Sequence, residues 1–258
     1  MGRIYKGVRR LSSRVALVTG AASGLGAGVA RALAAAGYRI AFTFRPGGTP
    51  PDETSRAVAE HDRDVLAIAN DLGSFAAGVE LVTAVEAQRG PLDVVVHCVG
   101  PIVVRAFAAS SAADDYRAMI DENFGSAVAI AAAALPGMRA RKFGRLVFFG
   151  MNGSHVTQPA KLMALYGAAK AAVVTFARTL ALEEAKNGIT VNVIEPGDIR
   201  NKTATRAQSL AIAAENPTGH AGSWQDIADA VCFAVGDDAG FFNGMVLGVN
   251  GGLVEAHE

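Results

Sequence analysis

Cysteine is scarce, with only Cys98 and Cys232, each set in an apolar run. Two such residues offer no disulfide framework and no metal-ligand spacing, so both read as buried, reduced thiols and no metal is expected. Net charge is missing too, since 24 Lys and Arg balance 24 Asp and Glu. Nothing therefore draws the chain to nucleic acid or to an anionic membrane. No uninterrupted apolar run approaches the roughly 20 residues of a bilayer span. The first fourteen residues, MGRIYKGVRRLSSR, are basic and lack the apolar centre of a secretory signal. They read as an arm over 1–13, with a short mitochondrial-type presequence as the alternative, and the expected location is cytoplasmic. Linkers, composition shifts and internal repeats are also missing, so 14–258 is expected to form one domain.

What is present is a 51% apolar composition rich in alanine, with 29 glycines, which suits helices packed closely on a sheet. Short β-rich runs recur at 15–19, 39–44, 65–69, 93–98, 145–149, 190–194 and 245–249. Segments of helical spacing lie between them. Leu25, Val29, Leu33 and Ala36 make one apolar stripe; Phe75, Val79, Val82 and Val85 make another. Strands apolar on both faces and joined by helices are buried parallel strands. Right-handed crossovers then give an α/β fold, a doubly wound parallel sheet of seven strands in an αβα sandwich. The least regular stretch, 197–223, has the mixed composition of a lid beside a ligand.

The first strand runs into TGAASGLG, 19–26, and then an alanine-rich helix. A glycine turn at the first βα junction lets the backbone and the helix N-terminus approach a dinucleotide pyrophosphate. The second strand ends FTFRP, with Arg45 where an acid would bind the ribose 2′-hydroxyl of NAD. A guanidinium suits a 2′-phosphate, so NADP(H) is the expected cofactor, with NAD possible. After the third strand, Asp71 is placed to accept from an adenine amino group and Leu72 to pack on the ring.

Tyr166 and Lys170 stand four apart at the start of a helix whose apolar stripe is Ala169, Val173, Phe176 and Leu180, stopped at Asn187-Gly188. Taken with Thr19-Gly20-x-x-x-Gly24-x-Gly26, ENFGS around Asn123, ITVNVIEPGDI at 189–199 and GMVLGVNGG at 244–252, the chain from Arg14 onward resembles the short-chain dehydrogenase/reductase family. The resemblance implies that Gly20, Ser23, Gly24, Leu25, Gly26, Gly100, Pro196, Gly197 and Ile199 contact the cofactor. It implies Tyr166 as the acid/base, and Lys170 holding the ribose hydroxyls and lowering the phenol's pKa. It implies Asn123 anchoring a proton-relay water, and a homodimer or homotetramer packed through the Tyr166–Lys186 helix.

Two departures stand out. After the fourth strand HCVG replaces the family's Asn-Asn-Ala-Gly, and His97 reads as a structural substitute for asparagine. The family's catalytic serine is displaced: aligned from GRLVFFG its place falls on Met151, and counted back from Tyr166 it falls on Gly153. Ser154 is the expected donor and Asn152 the alternative. The expected activity is NADP(H)-dependent hydride transfer between nicotinamide and a carbonyl or alcohol of a small organic substrate. Reduction of a C=N or C=C bond, or non-catalytic NADP binding, are the alternatives.

Overall fold

The structure is a computed structural model that describes residues 14–107 and 112–253. The basic arm expected over 1–13 lies outside the described residues. The β-branched runs become strands β1 (Val15–Thr19), β2 (Arg39–Phe44), β3 (Leu66–Ala69), β4 (Leu92–His97), β5 (Gly144–Phe149), β6 (Ile189–Pro196) and β7 (Val246–Val249). They form one seven-stranded sheet in the order β3-β2-β1-β4-β5-β6-β7. Every neighbouring pair is parallel. β1 and β2 have the expected limits, and the others differ by one or two residues at an end.

Between the strands lie α1 (Gly24–Ala35), α2 (Asp52–Ala59), α3 (Phe75–Arg89), α4 (Ala112–Tyr116), α5 (Ser126–Arg141), α6 (Ala164–Glu184), α7 (Arg206–Ser209) and α8 (Trp224–Val235). A π-helical stretch, Arg117–Gly125, joins α4 to α5. Successive strand side chains point to opposite faces. Val15 and Leu17 of β1 therefore enter one buried cluster, with α3, α5 and α6, while Ala16 and Val18 enter the other, with α1 and α8. The sheet grows outward from β1 to β3, then restarts on the other side at β4. That reversal opens a crevice at the carboxyl ends of β1 and β4, where doubly wound sheets bind their ligands.

The helical stripes need two corrections. In α1, Val29 and Leu33 are buried as expected, but Ala36 is exposed because the helix ends at Ala35 and the chain turns at Gly37, φ 96°. In α3, Phe75 and Val79 are 58% and 54% exposed, and the buried face is Gly78, Leu81, Val82 and Val85. The cause is a close helix crossing: a Cβ on Gly78 would lie 3.1 Å from the Ala129 backbone of α5. The α6 stripe is buried at Ala169, Val173 and Leu180, and partly at Phe176. Two helical spans, Ala113–Arg141 and Ala164–Asn187, have the length and hydropathy of a bilayer crossing, but both pack on the sheet as core helices.

Candidate active site

The glycine turn is shaped by contact as well as by conformation. Gly20 and Gly24 have φ of 64° and 61°, a left-handed backbone that other residues adopt at a cost. A Cβ on Gly26 would sit 2.5 Å from the Gly20 carbonyl oxygen. Thr43 of β2 anchors the turn, its hydroxyl accepting from Gly20 N–H at 2.9 Å and its carbonyl from Ala21 N–H at 2.9 Å. Ser23 precedes α1 in an extended conformation, its side chain makes no capping bond, and the first helical turn holds no acid. The amides of Gly24, Leu25 and Gly26 at the helix start are thus suited to an anion. Above them lies a residue that sequence reasoning missed. Lys202, in the expected lid, brings its Cβ within 3.6 Å of where a Cβ on Gly24 would be. Only its distance along the chain hid it.

At the adenosine end, Arg45 follows β2, is half exposed, and pairs with the carboxylate of Glu122. Asp71 is exposed at the sheet's edge. The Leu72 side chain, expected to pack on adenine, is 3% exposed and belongs to the core cluster with Leu81 and Val82.

At the chemical end, Lys170 is buried, its Nζ donating to the Phe149 carbonyl at 3.0 Å and standing 5.5 Å from the Tyr166 ring centroid. Burial pushes the Lys170 ammonium down to about 8, with a smaller contribution from Lys202. Burial pushes the Tyr166 phenol up to about 12. The lowering expected from Lys170 is thus not found at Tyr166: desolvation dominates, and the ammonium is hydrogen-bonded to a carbonyl of β5.

Asn123 sits near the end of the π-helical stretch, 1% exposed. Its Nδ2 donates to Pro101 O at 3.1 Å and to Ala118 O, five residues back, at 3.4 Å. Its Oδ1 is buried with no partner among the described residues. Gly100, φ 150°, passes between this oxygen and the ammonium. A Cβ there would collide with Asn123 Oδ1 and lie 3.3 Å from Lys170 Nζ. A buried unpaired acceptor costs about 1–3 kcal/mol, so this one is suited to holding a water beside the lysine.

His97 is structural, as expected. The Ser126 hydroxyl donates to Glu122 O at 2.6 Å, so its oxygen accepts from His97 Nε2–H at 2.9 Å. Nδ1 then accepts from the Thr19 hydroxyl at 2.9 Å, and Thr19 Oγ1 accepts from Cys98 N–H at 3.1 Å. Burial holds the ring neutral, pushing its pKa down to about 3. Burial also raises the thiols, Cys98 to about 12 and Cys232 to about 11, and both are free.

The loop after β5 carries the largest surprise. Ser154 is 3% exposed, and its hydroxyl donates to Glu195 Oε1 at 2.6 Å while accepting from Met151 N–H at 3.1 Å. Glu195, at the end of β6, is 1% exposed and also accepts from Gly153 N–H, His155 N–H and His155 Nδ1 at 3.1, 3.0 and 2.8 Å. Its only sequence signal was an acid in an otherwise apolar run, TVNVIEPG. Asn152 lies apart from this cluster, its Oδ1 accepting from Asn250 Nδ2 at 2.7 Å. The nearby turn is tight, since Gly197 N–H bonds Val249 O at 2.9 Å and a Cβ on Gly197 would overlap the Asn250 backbone. Pro196 closes β6, and Ile199 packs on the second core cluster.

Comparison with known proteins bears on this site. The family model described as enoyl-(acyl carrier protein) reductase matches residues 20–254. Acetoacetyl-CoA reductase of Shinella zoogloeoides is 35% identical over 246 residues, spanning 93% of this chain and 98% of that protein. The 3-oxoacyl-(acyl-carrier-protein) reductase MabA of Mycobacterium tuberculosis is 31% identical over 250 residues, spanning 95% and 94%. Among solved structures, one assigned as a short-chain alcohol dehydrogenase from Sinorhizobium meliloti superposes with TM-score 0.85 at 29% identity, covering 95% of this chain and 98% of that one.

Proposed function

Since this chain belongs to the short-chain dehydrogenase/reductase family, we propose that it is an NADPH-dependent reductase of the ketone in a 3-oxoacyl thioester. Membership makes it an oxidoreductase of carbonyl substrates with a nicotinamide cofactor. The finer reading rests chiefly on one observation: Asn123 Oδ1 and Lys170 Nζ both border Gly100, just after β4, and the Tyr166 ring centroid lies 5.5 Å from the same ammonium. The acetoacetyl-CoA and 3-oxoacyl reductases among its relatives support the substrate class.

The residues present fit the cofactor. The free amides of the α1 N-terminus, the Ser23 hydroxyl and Lys202 would hold its phosphates, and Arg45 a 2′-phosphate in exchange for Glu122. Lys170 would hold the ribose hydroxyls. When bound, the dihydronicotinamide supplies the hydride. Tyr166 gives its phenolic proton to the oxygen of the substrate as that oxygen gains charge, leaving a phenolate. With its pKa pushed up to about 12, the phenol stays protonated at neutral pH and ready to donate. Lys170 returns a proton to the phenolate, and a water on Asn123 Oδ1 resupplies Lys170. With a pKa near 8, Lys170 can both give and regain that proton near neutrality.

A second reading, reduction of an enoyl C=C bond, is favoured by the description of the family model. One assay separates them: oxidation of NADPH, and of NADH in parallel, with acetoacetyl-CoA and with its enoyl counterpart. The proposal expects turnover on the ketone with NADPH preferred. Faster turnover of the enoyl thioester would favour the second reading, and a preference for NADH would remove the role given to Arg45.

A further inference from the structure

We infer that Glu122 limits how strongly this protein prefers NADPH over NADH, by occupying Arg45 until a 2′-phosphate displaces it. The inference rests on the NADPH reading and names a second residue at the adenosine end of the crevice.

Arg45 is the first residue after β2, and its guanidinium pairs with the Glu122 carboxylate. In the sequence Glu122 is only the first letter of ENFGS, 77 residues from Arg45. It belongs to the π-helical stretch Arg117–Gly125, beyond β4. Its backbone is tied to the end of that strand: the Glu122 carbonyl accepts from the Ser126 hydroxyl at 2.6 Å, and Ser126 accepts from His97, the last residue of β4. The next residue, Asn123, is fixed by its bonds to Pro101 O and Ala118 O. In the sheet β1 lies between β2 and β4, with Val18 beside Phe42 and Thr19 beside His97. The ion pair therefore joins the two flanks of β1 at its carboxyl end, where the glycine turn begins. A dinucleotide laid across the carboxyl ends brings its adenosine ribose to the end of β2. The pair stands where the group on the ribose 2′ carbon arrives.

Both partners are open to solvent, Arg45 at 54% and Glu122 at 27%. Exposed pairs hold their charges weakly, so an arriving anion can replace the carboxylate. A phosphate monoester carries about −1.5 to −2 charges at neutral pH, and its oxygens match the guanidinium fork. It therefore displaces a single carboxylate from Arg45. A 2′-hydroxyl brings no charge and leaves the pair closed. The two cofactors thus meet different sites: NADPH must open the pair, and NADH need not. Glu122 lowers the affinity for NADPH according to the fraction of molecules in which it holds Arg45, and has little effect on NADH.

The test is equilibrium titration of the full chain with NADPH, NADH and adenosine 2′,5′-bisphosphate, the last probing the adenosine end without the nicotinamide. Glu122→Gln, Glu122→Ala, Arg45→Gln and the Arg45→Gln/Glu122→Gln double variant are compared, with melting temperature as the check on folding. Releasing Arg45 is expected to tighten NADPH and the bisphosphate about twofold to fivefold in both Glu122 variants, with NADH changed by less than about 1.5-fold. Arg45→Gln is expected to weaken NADPH about tenfold to a hundredfold. In that background Glu122→Gln is expected to add less than about 1.5-fold, because Glu122 acts only through Arg45. Unchanged NADPH affinity in both Glu122 variants, an equal gain for NADH, or a gain that persists without Arg45 overturns the inference and leaves the NADPH reading in place. Arg45→Gln that binds NADPH as tightly as the wild type overturns both.

Discussion

His97 accepts from Thr19 and donates to Ser126, so one neutral tautomer ties β1, β4 and the helix after Glu122 together. Burial puts its folded pKa near 3, below the ordinary 6.5. Its contribution is complete above pH 6.5. As pH falls below that value the unfolded chain takes up a proton that the fold refuses, and stability drops by about 1.4 kcal/mol per pH unit toward pH 3. Between pH 6.5 and 4.5, wild type should lose about 2–3 kcal/mol more than His97→Asn in urea denaturation, because an amide bridges both partners without titrating. Equal losses would show that the ring is not the group refusing the proton. At this scale the sequence was legible where chemistry is local. Tyr166 and Lys170 declare themselves by standing four apart on one helix, and His97 by departing from the family's asparagine. Glu195 and Asn250 were not legible, because they meet Ser154 and Asn152 across 41 and 98 residues of chain. Only the register of β5 on β6, Phe149 opposite Ile194, and the turn after β7 bring them there.

Strands were the most readable elements, because burial on both faces leaves an apolar run that survives any choice of neighbours. Helices were less so. The α3 stripe favours Phe75 and Val79 by hydrophobicity, yet the crossing with α5 buries Gly78 instead, and Phe75 and Val79 face outward. Close approach of two helices rewards the smallest residue, which a hydrophobic pattern does not count. Gly78→Val should therefore destabilise by about 1–3 kcal/mol through overpacking against Ala129. Val79→Ser, one residue along on the exposed side, should change stability by about 0.5 kcal/mol or less. Urea midpoints measure both, and a Val79 effect larger than the Gly78 effect would reverse the assignment of faces. The π-helical stretch was equally hidden. It is held partly by Asn123 Nδ2 reaching Ala118 O, a bond that also aims Asn123 Oδ1 past Gly100 toward Lys170.

Across the whole molecule, the two most exposed large apolar side chains among the described residues lie on α6 and after α8. Leu182 on α6 is 81% exposed and Phe241, in the turn after α8, is 99% exposed. Beside it Phe233 and Phe242 stack edge to face at 4.7 Å, near the sheet's last strand. Surfaces of this kind are covered in stable oligomers. We therefore propose a dimer or tetramer, and light scattering should find a multiple of the 26.5 kDa chain. Phe241→Asp or Leu182→Lys should reduce that mass, and a monomer in the unaltered protein at micromolar concentration would contradict the proposal. The fold, the family and the convergence of Tyr166, Lys170 and Asn123 together make the central claim that Tyr166 is the proton donor in reduction of a carbonyl. The most direct measurement is acetoacetyl-CoA reduction by Tyr166→Phe, with NADPH binding followed in the same preparation. The account predicts binding close to wild type and turnover lower by about a hundredfold to ten-thousandfold. Tyr166→Phe that binds NADPH and reduces the ketone at the wild-type rate would contradict it.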